Sequence, residues 1–472
     1  MVFNLTKMRS HILCTLNSSV FALLLFFASC TSKQADSSSF VGSPISSRPA
    51  DSTYMAAGIY AAYPGPQQEE LTLAPQGYEA YYISLYNRHG SRYQPSNDRY
   101  QHTLDRLQEA HQRGALTPYG ESLLPQIQQL CDSCLGHGGQ LSSVGQQQLK
   151  GIGQRMANRF PEIFSRTMDN GSHRCHVRAR ASIVPRCSAS AQSFLAGLNA
   201  SNVSFNADTA NMAYIAYDTP AMRQLGAKDA PWQSDYREYM RTHVDKQRII
   251  SAIFADAADL DSLQTVIDLY WLAVGMQDVD VPGCDLSQVF TTAELLSCWQ
   301  CVNYRMYVCN ACCPQSQGIP AASASTLLQN IIERADEALD TDTVAADLRF
   351  GHDSNLLRLL ALMRIQGATA QVEHPAQAWL QWPDYALSPM GANLQLIFYR
   401  PTVSNASSQS TTASETTPTV LVKLLHNEGE VLLDAPLQPV TGPYYDWREL
   451  REYLLAQLSA TATDATYTIN IQ

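Results

Sequence analysis

Two stretches of this sequence hold residues that could act on one ligand. Arg88-His89-Gly90-Ser91-Arg92 frames a histidine with two guanidinium groups, and Gly351-His352-Asp353 places a second histidine beside a carboxylate. A guanidinium offers N–H donors in a planar fork that matches phosphate and carboxylate, so a histidine framed by arginines sits in a field suited to oxyanions. Arg186 adds a third such cation, and the whole chain carries 26 Arg against 6 Lys.

Strand ends are the elements that can gather these residues. Tyr81 to Tyr86 is aromatic and β-branched enough for a strand, and it runs straight into Arg88. Cys175 to Ile183 alternates small or apolar residues with His176, Arg178 and Arg180, and Pro185 then opens a helix whose first turn carries Arg186. Val344 to Phe350 is a third strand, Gly351 to Asn355 a turn with capping residues, and Leu356 to Ile365 a helix. Ligands of open α/β sheets bind outside the carboxyl ends of the strands, where a helix dipole can also face them. Helical patterns at Thr103 to Arg113 and Ser143 to Phe160 precede a helical block from 201 to 340, and strands at Leu394 to Arg400 and Val420 to Leu425 follow it. The expectation is an α/β domain formed by residues 76–200 and 341–472, with a mostly α-helical cap, 201–340, inserted between them. Residues 403–418 are Ser/Thr-rich and read as a disordered surface loop.

Lys7 and Arg9 precede the apolar run Val20 to Phe27, and Ala28-Ser29 stand directly before Cys30. That order resembles a bacterial lipobox, so residues 1–29 are expected to be a lipoprotein signal and Cys30 the acylated mature N-terminus. An exported protein anchored by lipid to a bacterial, outer-type membrane follows as an expectation, with residues 30–75 as a flexible tether. The formal charge of −11 argues against nucleic acid as a partner. Ten further cysteines in an exported chain favour disulfides over a thiolate metal site. Gly136-His137-Gly138-Gly139 and Gly151-Ile152-Gly153 complete no phosphate loop and read as turn and helix-packing glycines.

At the arginine and histidine motifs the sequence resembles the histidine acid phosphatases, branch 2 of the histidine phosphatase superfamily, which includes phytases and multiple inositol polyphosphate phosphatases. The likeness rests on Arg88-His89-Gly90-Ser91-Arg92, Leu141 to Gln146, Arg180-Ala181-Ser182 with Arg186 and Phe194 to Leu198, and Gly351 to Leu356. It implies a phosphoglycerate mutase-like α/β fold with a helical cap. It implies that His89 is a nucleophile, that Arg88, Arg92, Arg186 and His352 clamp a phosphoryl group, and that Asp353 donates a proton. The substrate would be a small phosphomonoester, hydrolysed through a phosphohistidine without metal or cofactor. Surrounding cations should depress the basicity of His89, and bound phosphate should raise that of Asp353.

Two departures from the family pattern stand out. Gln94 occupies a place where the family has proline, with Pro95 after it, and His352-Asp353 replaces the His-Ala-Glu of inositol polyphosphate phosphatases, which leans toward the phytase and acid phosphatase type. Arg180 rivals Arg186 for the clamp, and Arg223 or Lys228 in the cap could reach distal phosphates. The alternative of another class is a catalytically idle surface lipoprotein that binds phosphorylated ligands.

Overall fold

The computed structural model describes residues 52–68, 70–166, 175–402 and 419–464. The signal with Cys30 and the stretch 403–418 lie outside the described residues. Eight strands form one mixed sheet: β1 (Tyr78–Arg88), β2 (His176–Ala181), β3 (Val203–Asn206), β4 (Val344–Gly351), β5 (Asn393–Pro401), β6 (Leu421–His426), β7 (Gly429–Glu430) and β8 (Tyr444–Asp446). Their order is β3-β2-β4-β1-β5-β6-β7, with β8 also paired to β6. β3, β2, β4 and β1 run parallel, and β5 turns the sheet antiparallel.

β1 is central, buried from Ala80 to its end. Tyr82 and Tyr86 enter the core on one face, and Ile83 and Leu85 enter the core on the other. A register shift between Ala80 and Tyr82 reverses that alternation upstream, placing Tyr81 with the tyrosines and Ala80 with the aliphatics.

The first helices are α1 (Ser52–Ala56), α2 (Asp98–Gln112), α3 (Pro118–Cys134), α4 (Ser143–Arg159), α5 (Pro161–Ser165) and α6 (Pro185–Leu198). Four short ones, α7 to α10, span Met212–Ile215, Pro220–Leu225, Gln233–His243 and Gln247–Ile253. They precede α11 (Ser262–Gly275), α12 (Thr292–Asn310), α13 (Ile319–Ser323), α14 (Ser325–Thr341) and α15 (Asp353–Leu362). Helices α4 and α6 cover one sheet face with Leu149, Ile152, Met156, Phe194 and Leu198, while α14 and α15 cover the other with Leu328, Ile331, Ile332, Leu356 and Leu360. A separate helical core joins α1, α2, α3, α10, α11 and α12.

This layout revises the expected boundaries. β3 takes residues 203–206 into the sheet, and α14 packs on the sheet, so neither belongs to the cap. Conversely, α2 and α3 contribute Leu104, Leu107, Ile127 and Leu130 to the cap core. Residues 52–61, expected within a flexible tether, are ordered instead: α1 and a short 3-10 turn at Gly58–Tyr60 bury Ala56, Ala57, Tyr60 and Ala61 in that core. Small side chains carry little periodic signal but permit close packing.

The expected disulfides do not form at Cys131, Cys134, Cys187, Cys284, Cys298, Cys301, Cys309, Cys312 or Cys313, which are free thiols. Cys131 and Cys134 lie three apart on α3, as do Cys298 and Cys301 on α12, and all four are buried. Their spacing is thus the repeat of an apolar helix face, where cysteine acts as a small hydrophobe.

Gly153 on α4 and Gly197 on α6 let the two helices touch backbone to backbone. A methyl at Gly197 would fall on the Lys150 carbonyl, and one at Gly153 on the Phe194 carbonyl. Gly197→Ala is therefore expected to destabilise the fold by about 1–3 kcal/mol through overpacking. Urea denaturation would show a lower midpoint with unchanged slope, and an unaltered midpoint would mean that the helices separate without cost.

Candidate active site

Three neighbouring parallel strands deliver the site. β1 ends at Arg88, paired with Gly351 at the end of β4. The His89 N–H then donates to the Gly351 carbonyl at 3.0 Å, and the Ser182 N–H beyond β2 donates to the Phe350 carbonyl at 3.0 Å. His89, His352 and the turn before Arg186 consequently leave the sheet side by side. The ring centroids of His89 and His352 are 5.8 Å apart, edge to face.

The loop after β1 is braced by α4. Ser142, the N-cap of α4, donates through both its N–H and its hydroxyl to the Ser91 carbonyl, each at 3.0 Å. Gln148 closes the brace, accepting from the Ser91 N–H and donating to the Ser91 hydroxyl, both at 2.9 Å.

His89 is 2% exposed. Its Nδ1 lies 2.9 Å from the Gly90 carbonyl oxygen. A carbonyl can only accept, so Nδ1 carries the proton and the lone pair belongs to Nε2. Burial, then Arg88, Arg186 and Arg92, hold the imidazole well below its ordinary pKa. Nε2 therefore stays unprotonated into acid solution, as a nucleophile or base requires.

Around it stand the three expected arginines. Arg88, buried completely, donates from Nη1 to the Ile59 carbonyl at 2.6 Å and the Ser388 carbonyl at 2.5 Å, and its Nη2 lies 3.9 Å from Asp353 Oδ2. Arg92 donates to the Tyr60 hydroxyl at 3.0 Å and the Tyr93 carbonyl at 2.8 Å. Arg186 stands in the first turn of α6. Each of the three keeps a buried Nε–H with no acceptor among the described residues. Orphaned charged donors are costly, and an anion is the ligand that would satisfy them.

His352 is the N-cap residue of α15, so the positive end of that helix faces the cluster. Its Nε2 lies 3.2 Å from the Ser182 hydroxyl, which also accepts from the Val184 N–H. Burial, then Arg186, bring the His352 pKa down to about 4. Burial pushes Asp353 upward, but Arg88 above all, then His352 and Arg92, hold its carboxyl below the ordinary range. Beside these cations Asp353 is thus a carboxylate, and an anion that neutralises the arginines would return it toward a usable acid.

The structure brings together His89, Arg88, Arg92, Arg186, His352 and Asp353 as expected from sequence. Arg180 is engaged along the sheet with the Ala179 carbonyl and Ser204, which leaves Arg186 as the third clamp residue. Arg223 turns back onto the Asp218 carbonyl, and it and Lys228 are exposed residues outside this cluster.

Other participants were invisible in the sequence. Tyr60 and Ile59 come from the strap after α1. Asp278 and Asp384 are both buried within electrostatic reach of Arg88, and burial lifts each carboxyl to about 7. Gln94 shows what replaces the family proline. It is 2% exposed, donates from Nε2 to the Trp271 carbonyl of α11 at 2.7 Å and accepts from Arg99 at 2.9 Å. Its N–H, which proline lacks, donates to the Tyr100 hydroxyl at 3.1 Å. The carbonyl of that same peptide unit, on Tyr93, receives Arg92. Gly275 makes the room: a Cβ there would stand 2.6 Å from Gln94 Nε2. The loop is thus fastened to the cap by hydrogen bonds rather than by a rigid ring.

A model of the histidine phosphatase superfamily, branch 2, matches residues 85–427. A search of curated proteins finds no match. Among solved structures, the Bifidobacterium longum multiple inositol polyphosphate phosphatase in complex with phosphate is similar in fold, with a TM-score of 0.69, 18% identity, and coverage of 86% of this chain and 98% of that one. The same enzyme in complex with inositol hexasulfate gives a TM-score of 0.67 at 18% identity, over 85% of this chain and 97% of that one. The phytase from D. castellii gives 0.57 at 15% identity, over 86% of this chain and 85% of that one.

Proposed function

Because the chain belongs to branch 2 of the histidine phosphatase superfamily, we propose that it is an acid phosphatase that hydrolyses phosphomonoesters, inositol polyphosphates such as phytate among them, through a phosphohistidine. The observation that carries this reading is the unprotonated Nε2 of His89 set among three arginines with unsatisfied donors, with Asp353 beside them.

In this reading His89 Nε2 attacks phosphorus while the P–O bond to the alcohol breaks, and Asp353 gives its proton to the departing oxygen. Arg88, Arg92 and Arg186 stabilise charge spread over the equatorial oxygens. Water then attacks the phosphohistidine, giving its proton to Asp353, and phosphate leaves. An inositol polyphosphate is favoured by the solved phosphate and inositol hexasulfate complexes of a similar fold. A broader acid phosphatase is favoured by His352-Asp353.

Phosphate release from phytate, a sugar phosphate and p-nitrophenyl phosphate, followed across pH without added divalent cation, tests the proposal. Asp278 predicts the alkaline limb. Below about pH 7 its buried carboxyl is neutral, and above it a carboxylate competes with substrate for Arg92 and Arg88. KM should rise as pH passes that value, and Asp278→Asn should flatten the rise. A peak above neutrality that depends on a divalent cation would remove the histidine mechanism.

We further propose that the protein is exported and lipid-anchored through Cys30. Cys30→Ser should shift it from the membrane fraction to an unacylated form, and a wild-type N-terminus without lipid mass would refute the anchor.

A further inference from the structure

Tyr60 lies before residues 85–427, the span matched by the family model, yet it stands at the centre of the clamp. It is 3% exposed. Its hydroxyl oxygen accepts from Arg92 Nη2 at 3.0 Å, its ring centroid is 4.9 Å from the Arg92 guanidinium carbon, and Trp271 packs 4.8 Å from it on centroids. The phenol is also within electrostatic reach of Arg88 and Arg186, so it is coupled to all three clamp arginines.

One part of the hydroxyl is unused. Having accepted from Arg92, it still has a proton to donate, and no described residue accepts it. The arginines around it offer no acceptor, and neither the Asp353 nor the Asp278 carboxyl is hydrogen-bonded to it. The nearby groups left unsatisfied include the Nε–H donors of the same three arginines as well as the carboxyl oxygens of Asp278. A phosphoryl oxygen held among those donors would be an acceptor for the phenol as well.

The strap is built to hold this position. Tyr270 of α11 donates its hydroxyl to the Ala56 carbonyl at 2.7 Å, and the Ala62 N–H donates to Gln277 Oε1 at 2.8 Å. The Ile59 carbonyl takes Arg88 at 2.6 Å. Consecutive residues 59 and 60 thereby serve two different clamp arginines.

We propose that Tyr60 is a phosphate-contacting residue, whose hydroxyl accepts from Arg92 and donates to an oxygen of the bound phosphoryl group. The inference rests on the phosphatase reading only for the identity of the anion.

The test uses the full chain, with inorganic phosphate as probe. Tyr60→Phe keeps the ring and removes only the hydroxyl. A hydrogen bond to a charged partner corresponds to roughly a tenfold change in affinity or more, so the dissociation constant for phosphate by calorimetry and the KM for p-nitrophenyl phosphate should each rise about tenfold. The melting temperature without phosphate should fall only modestly, since Arg92 Nη2 loses one acceptor, so both affinities are measured well below the melting transition of either protein. The same comparison in an Arg92→Lys background decides between contact and positioning. If the hydroxyl touches the anion, its removal still weakens phosphate there. If the effect vanishes in that background, Tyr60 acts through Arg92 alone and the proposal is overturned, as it is if affinity in Tyr60→Phe stays within twofold of wild type. A wild-type protein that binds phosphate tightly yet hydrolyses no ester would overturn the phosphatase reading and leave Tyr60 standing. One that binds no phosphate would overturn both.

Discussion

His89→Ala is expected to reduce turnover of every phosphomonoester by at least about 10⁴-fold, the scale on which removal of a nucleophile is felt in other covalent enzymes. The imidazole directs its proton to the Gly90 carbonyl and its lone pair to Nε2, and burial among arginines keeps that lone pair free. Alanine leaves the arginine field intact, so phosphate should still bind. Phosphate affinity retained with turnover lost is the signature to look for. In rapid-quench experiments the wild type should also yield an acid-labile phosphoenzyme that the variant lacks. Activity within tenfold of wild type would move the nucleophile elsewhere.

Asp353→Asn divides substrates by leaving group. The carboxyl stands at the start of α15, beside Arg88 at 3.9 Å, where it can hand a proton to a departing oxygen. General acid catalysis contributes about 10²–10⁴-fold when the leaving group needs protonation. A sugar or inositol alkoxide needs it, whereas p-nitrophenolate leaves nearly unaided. Alkyl phosphates should therefore lose about two orders of magnitude or more in kcat, and p-nitrophenyl phosphate far less. Equal losses on both would place Asp353 in binding rather than proton transfer. Asn also removes a negative charge beside Arg88, so phosphate affinity should be retained or improved.

The sequence displayed the strand ends clearly, because the apolar runs of β1 and β4 stop abruptly at Arg-His and His-Asp motifs. Arg186 was legible because Pro185 marks a helix start directly after an alternating strand. Tyr60 and Asp278 were not, since their approach to the clamp arises only when the strap and the 3-10 turn after α11 fold against it. Helix α3 was equally hidden: Pro125 lies inside it and glutamines interrupt its sequence, which masks an apolar stripe of Leu123, Ile127 and Leu130. Its start was nonetheless encoded, with Thr117 capping and Pro118 in the first turn.

The unsatisfied Nε–H groups of Arg88, Arg92 and Arg186 have a consequence for the life of the protein as well as for its chemistry. Any anion that fills them binds the native state and not the unfolded chain, so the folded population grows with anion concentration. At a hundred times the dissociation constant the gain is about 2.7 kcal/mol. Inorganic phosphate, the product of the proposed reaction, would then protect the protein against heat and proteases as it accumulates. Where phosphate is scarce the same molecule would be more easily degraded, so its persistence would follow the phosphate content of its surroundings.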